Sequence, residues 1–134
     1  MSENPAVVLV LDSNLMFRPK LDSMIRNAGH VPVPYRPDVP IPTQAGFEGA
    51  RVQPVVGLVN LEDRAVDPMK AIAAMRREDV CIIAFCGHAN TAAMEQAAAA
   101  GAQIVVPRSS VDQRLPVILK EAIKWKPDPH CDFC

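Results

Sequence analysis

Three groups of residues in this 134-residue sequence are of types that do chemistry. Cys131 and Cys134 form a CxxC pair with His130 beside it. Thiolate and imidazole are good zinc ligands, and a CxxC pair is also a redox-active arrangement. A closed zinc site needs four ligands, normally from two such pairs, so this one would need a partner chain to complete it. The second group is histidine. His88 follows Gly87 at the end of an apolar run, without the neighbouring nucleophile or carboxylate pair that a general base serves. His30 adjoins Gly29 and has no evident partner. The third group is polar residues that each close an apolar run: Asp12-Ser13, Asn60-Leu61-Glu62, Cys86-Gly87-His88 and Pro107-Arg108. They contain no complete nucleophile–base set, and neither a P-loop nor a GxGxxG turn supports nucleotide binding.

The runs that deliver those residues are strand-like. Ala6 to Leu11, Val55 to Val59 and Val80 to Phe85 are short apolar runs, as strands covered on both faces of a parallel sheet must be, and Ala102 to Val106 is the last strand. Val31 to Tyr35 carries Pro32 and Pro34, which lack the N–H a central strand donates, so it belongs at a sheet edge. Pro37, Pro40 and Pro42 continue it as a stiff, extended connection. Helices alternate with these strands. Pro19 opens one that carries Leu21, Met24, Ile25 and Ala28 inward and stops at Gly29. Thr43 caps a short one running to Ala50. Asp67-Pro68 starts one that faces Met69, Ile72 and Met75 inward. Asn90 caps an alanine-rich one that Gly101 ends. Leu115, Ile118, Leu119, Ala122 and Ile123 line the last, with Pro116 near its start.

Alternating strands and helices predict an α/β fold: a flavodoxin-like, doubly wound, five-stranded parallel sheet of order 2-1-3-4-5, with helices on both faces. Residues 1–124 form this single domain, and 125–134 form a flexible Pro/Cys tail. Composition agrees, at 49% hydrophobic and 22% charged. The formal net charge of -1 offers no basic field for nucleic acid and no polybasic stretch for an anionic membrane. No apolar run is long enough to span a bilayer, and MSENPAVVLV lacks the positive region and cleavage site of a signal peptide. Four cysteines, two in an apolar stretch (Cys81 and Cys86) and two at the end, do not resemble a secreted disulfide framework. The expected compartment is the cytoplasm, with Cys81 and Cys86 as small buried residues.

From Ala6 to Ile123 the chain resembles the receiver domain of bacterial response regulators. Val10-Leu11-Asp12-Ser13-Asn14 is similar to the family's first-strand motif, where two adjacent acidic residues help hold magnesium. Pro54 to Asn60 resembles the strand that delivers the phosphorylated aspartate. Ile82 to Gly87 resembles the fourth strand, with its hydroxyl residue. Ala97 to Ala102 followed by Ile104 to Arg108 resembles the step that ends in a lysine. The resemblance implies a degenerate pocket. Asp12 keeps the first acidic position, Ser13 replaces the second, Asn60 the phosphoacceptor, Cys86 the hydroxyl residue and Arg108 the lysine.

Phosphoryl transfer to a carboxylate needs an anionic oxygen nucleophile and a hard divalent cation, and an amide is a poor nucleophile. Neither phosphorylation nor tight magnesium binding is expected, and no cofactor. Glu62 and Asp63 should be rooted in the loop rather than aimed into the pocket. Arg108 should either pair with Asp12, neutralising the pocket, or point to solvent. The leading functional expectation is a non-enzymatic pseudo-receiver that binds a protein partner or a second copy through the fourth helix, fifth strand and fifth helix. The alternatives are a small-ligand protein or enzyme using the strand-end pocket, and a metal- or redox-responsive regulator using His130, Cys131 and Cys134.

Overall fold

The computed structural model describes residues 6–39, 41, 55–78, 80–87 and 89–125. The helix expected over Thr43 to Ala50, Pro40, Pro42, Pro54, His88 and the tail with His130, Cys131 and Cys134 lie outside the described residues. Nine elements follow in chain order among those described. They are β1 (Val7–Leu11), α1 (Arg18–Asn27), β2 (Val31–Pro34), β3 (Val55–Asn60), α2 (Pro68–Arg77), β4 (Cys81–Cys86), α3 (Thr91–Ala100), β5 (Ile104–Pro107) and α4 (Arg108–Lys124).

The strands form one sheet in the order β2-β1-β3-β4-β5, with every adjacent pair parallel. This is the expected doubly wound order, and the Pro-bearing strand is at the edge. Val31 N–H donates inward to the Ala6 carbonyl and Tyr35 N–H to that of Val10, each at 2.9 Å. Pro32 and Pro34 fall between them in the alternation, where an inward N–H is not required.

Side chains alternate along each strand, so one sheet feeds two cores. Val8, Val10, Leu58, Ile83 and Phe85 pack with Leu21 and Ile25 of α1 and Leu115 and Leu119 of α4. Leu9, Leu11, Val59, Ile82 and Ala84 pack on the other face with Ile72 and Met75 of α2 and Ala97 of α3. The helix boundaries have local causes. Asp67 accepts a hydrogen bond from Met69 N–H at 3.0 Å, and Pro68 needs no donor in the first turn. Asn90 accepts from Ala93 N–H at 3.2 Å to cap α3, and Gly101 leaves that helix at φ +122°, a conformation glycine adopts freely.

The last helix and His30 differ from the sequence reading. The last helix begins at Arg108, ahead of the apolar face that marks it in the sequence, and breaks at Arg114 (φ -133°, ψ 22°) two residues before Pro116. Proline removes a donor and crowds the preceding turn, so the chain runs as two helical pieces joined at a kink. His30 is not unpartnered: its Nδ1 accepts from Ala6 N–H at 2.9 Å and ties the turn after α1 to the start of β1.

Gly57 in β3 sits beneath Met75, and a Cβ there would overlap the Met75 sulfur. Both positions are enclosed, so Gly57→Ala should cost about 1–3 kcal/mol through overpacking. The same substitution in a Met75→Ala background should cost much less. Urea denaturation of the four-member cycle checks this, and equal costs in both backgrounds would refute the contact.

Candidate functional site

A parallel sheet gathers the carboxyl ends of its strands at one edge, and there the polar residues of the sequence converge. Asp12 follows β1 and Asn60 ends β3, both inside the protein at 2% and 4% exposure. A carboxylate withdrawn from water needs donors. Asp12 Oδ1 receives two: Asn60 Nδ2 at 3.1 Å and Asn14 N–H at 2.9 Å. Its Oδ2 is buried and has no partner among the described residues.

The other end of the Asn60 amide shapes the loop after β3. Asn60 Oδ1 accepts from Glu62 N–H at 2.9 Å, while the Asn60 carbonyl accepts from Asp63 N–H at 3.1 Å. This tight turn directs both acidic side chains back over the strand ends, contrary to the expectation that they would stay out in the loop. Asp63 Oδ1 takes the Ser13 N–H and hydroxyl, each at 2.6 Å, and its Oδ2 takes Ala65 and Val66 N–H, each at 3.0 Å. Glu62 Oε1 meets Arg108 Nη2 at 3.2 Å, and its Oε2 accepts from Asn90 Nδ2 at 3.2 Å.

Arg108 therefore follows neither expected course. Its ion pair is with Glu62 rather than Asp12, and it is not free in solvent. Its guanidinium carbon lies 5.5 Å from the ring centre of Phe17 and 5.9 Å from that of Phe85, rings that meet edge to face at 5.9 Å. The aromatic faces attract the delocalised cation while Glu62 takes one arm of its fork. Cys86 closes the group. Its Sγ–H donates to the Asn90 carbonyl at 3.5 Å.

Charge states follow from these contacts. The hydrogen bond from Asn90 does most to hold the Glu62 carboxyl below its ordinary value of 4.5; burial opposes it, and Arg108 assists. Burial pushes Asp63 upward, but hydrogen bonds from Ser13, Val66 and Ala65 outweigh it and leave the carboxyl below 3.8. Burial, with the Glu62 charge beside it, raises the Cys86 thiol, and Arg108 only partly offsets this. Burial alone pushes Cys81 up to about 11. Both thiols are thus protonated near neutrality and poor nucleophiles.

All five sequence-derived pocket positions, Asp12, Ser13, Asn60, Cys86 and Arg108, thus meet in one network. Around the cleft of about 380 Å³ that opens beside them lie Ser13, Asn60, Glu62, Asp63 and Arg108. Sequence reasoning missed Asn90 and Phe17 as members. Asn90 is legible only as a helix cap, and Phe17 shows no sign of its role. Among the described residues, no group of three or more His, Cys, Asp or Glu is placed to hold a metal ion.

No protein-family model matches this sequence, and no curated protein matches it. Solved structures do. The crystal structure of FixJ-N superimposes with a TM-score of 0.70 at 15% identity, over 96% of this chain and 99% of that one. A CheY-like response regulator receiver domain protein from Methanospirillum hungatei JF-1 gives 0.67 at 14% identity, over 90% and 94%. The beryllofluoride-activated NtrC4 receiver domain dimer gives 0.63 at 19%, over 88% and 96%. At these identities the likeness is one of fold: the chain has the receiver-domain fold.

The depressed carboxyls carry a pH signature. The unfolded chain takes up their protons first as pH falls, so their contribution to stability is present above the unfolded values of 4.5 and 3.8. It is lost as pH drops from there through the lower folded values. Glu62→Gln and Asp63→Asn should each flatten the acid limb of a stability-versus-pH curve while leaving its slope near neutrality alone. An acid limb unchanged in both variants would show that these contacts do not persist in solution.

Proposed function

We propose that this chain is a degenerate member of the response-regulator receiver family, a non-enzymatic signalling module that works by protein contact and independently of phosphorylation. The observation that carries this reading is the Asn60–Asp12 hydrogen bond at 3.1 Å. The end of β3 presents an amide nitrogen to the buried carboxylate, where phosphoryl transfer needs an anionic oxygen nucleophile.

Magnesium, which the resemblance implies for an active site of this fold, does not suit the residues present. It demands near-octahedral oxygen ligation, largely from carboxylates and water. Asp12 Oδ1 is occupied by two donors, one of them the Asn60 amide N–H₂, which leaves Asp12 only its buried, unpartnered Oδ2 to offer a cation. Asp63 is committed to Ser13, Ala65 and Val66, and Glu62 to Arg108 and Asn90. The same commitments count against a small-molecule enzyme, since Glu62, Asp63 and Arg108 are each engaged with other protein groups.

The face formed by α3, β5 and α4 is the proposed contact surface. Between β5 and α4 lies a concavity of about 460 Å³, larger than the strand-end cleft, with Ile104, Val106, Val117, Ile118 and Trp125 among its walls. Val117 is half-exposed on α4, which suits a partner that covers apolar surface. The NtrC4 receiver domain forms a dimer, and here either a second copy or another protein is the proposed occupant. Among the described residues, no helix is long and apolar enough to cross a membrane. A cytoplasmic setting is part of the same proposal.

Two measurements test the reading. Incubation with a small acyl phosphate and magnesium should leave the intact mass unchanged, and a stoichiometric gain of one phosphoryl group would overturn it. Asn60→Asp should place a second carboxylate against Asp12, costing about 1–3 kcal/mol from the lost donor and like-charge repulsion. Magnesium should recover part of that loss in the variant and leave the melting temperature of the parent unchanged. A parent stabilised by magnesium as strongly as the variant would contradict the proposal.

A further inference from the structure

We infer that Glu62 is a built-in anionic clamp: a permanent negative charge, two residues beyond Asn60, that couples the starts of α3 and α4. The inference rests on the pseudo-receiver reading and names how such a site is held in one state.

Three observations converge on this side chain. Glu62 is bonded to one residue from each helix start: Arg108 is the first residue of α4, and Asn90 is the N-cap of α3. Neither helix has an acidic residue in its first turn, although unpaired N–H groups and the macrodipole there favour negative charge. Glu62 is the carboxylate bonded to a side chain at each of these helix starts. Its carboxyl is held below the ordinary range by the same Asn90 and Arg108 contacts, so it stays ionised through the neutral range.

The geometry makes the coupling mechanical. Asn90 uses Oδ1 for Ala93 N–H, Nδ2 for Glu62 and its carbonyl for Cys86. A shift of Glu62 therefore moves the α3 cap and the end of β4 together. Arg108 is held from one side by Glu62 and by the Phe17 and Phe85 rings, so the same shift releases the first turn of α4. The pair is a third exposed (35% and 37%), where an ion pair contributes little to global stability. Its effect is on the placement of the α3–β5–α4 face, not on whether the domain folds.

Amide hydrogen exchange on the full chain tests the coupling. In Glu62→Ala, exchange at the first hydrogen-bonded amides of α3 (Ala93 and Met94) and of α4 (from Asp112 onward) should rise together, by about five- to tenfold. Arg108→Ala should do the same at α4 and also loosen α3, and the double variant should show no further increase. The charge-exchanged pair, Glu62→Arg with Arg108→Glu, should restore protection at α4. The midpoint of urea unfolding should move little throughout, which separates this effect from general destabilisation. Unchanged exchange in Glu62→Ala, or an increase confined to one of the two helices, would overturn the inference. The outcome is separable from the phosphodonor result. A gain of mass in the parent chain defeats the pseudo-receiver reading, whereas unmoved exchange with constant mass defeats only the role of Glu62.

Discussion

A carboxylate buried at the end of a central strand must be given donors, and the solution found for Asp12 orders everything around it. A second carboxylate at position 60 would compete with Asp12 for the same buried space and raise the affinity of the pair for protons or a cation. An amide does the reverse. Its nitrogen donates to Asp12 Oδ1, and its oxygen, pointing the other way, accepts from Glu62 N–H and fixes the turn beyond β3. The direction of Glu62 and Asp63 follows from that turn. So do the closure of Asp63 over Ser13 and the engagement of Arg108 by Glu62. One amide, used at both ends, ties the end of β1 to the turn after β3.

The network is made of contacts that are individually small. A partly exposed ion pair, a cation over two rings and a thiol donating to a carbonyl are each modest against the stability of a domain. Their value is positional. They join the ends of β1, β3 and β4 to the beginnings of α3 and α4, the places where the strand-end cleft and the α3–β5–α4 face share backbone. The two apolar cores lie beneath them, one on each face of the sheet.

Much of the fold is legible in the sequence because its signals are local. Continuous apolar runs mark β1, β3 and β4, Asp67-Pro68 and Asn90 announce α2 and α3, and the prolines of Val31–Pro34 place that strand at an edge. The positions of Asp12, Asn60, Cys86 and Arg108 follow from strand ends alone. What they touch does not. The Glu62 and Asp63 orientations depend on a side-chain hydrogen bond within the turn, and no propensity encodes it. The Arg108 contacts need Phe17 and Phe85, which are distant in the chain and meet only through packing of α1 against the sheet. The early start of α4 is hidden because Arg108 to Gln113 lacks the apolar period of the stretch beyond Leu115.

The edge strand β2 carries a consequence for how copies of this chain can meet. Its inward donors, at Val31 and Tyr35, are used against β1. The alternate positions, whose donors would face outward, are Pro32 and Pro34. Along that stretch the free margin of the sheet offers carbonyl acceptors but no donors, so an incoming strand could complete only half a ladder. Growth of the sheet from molecule to molecule is blocked there by composition alone. A partner at that edge would therefore have to be held by side-chain contacts rather than by a backbone ladder.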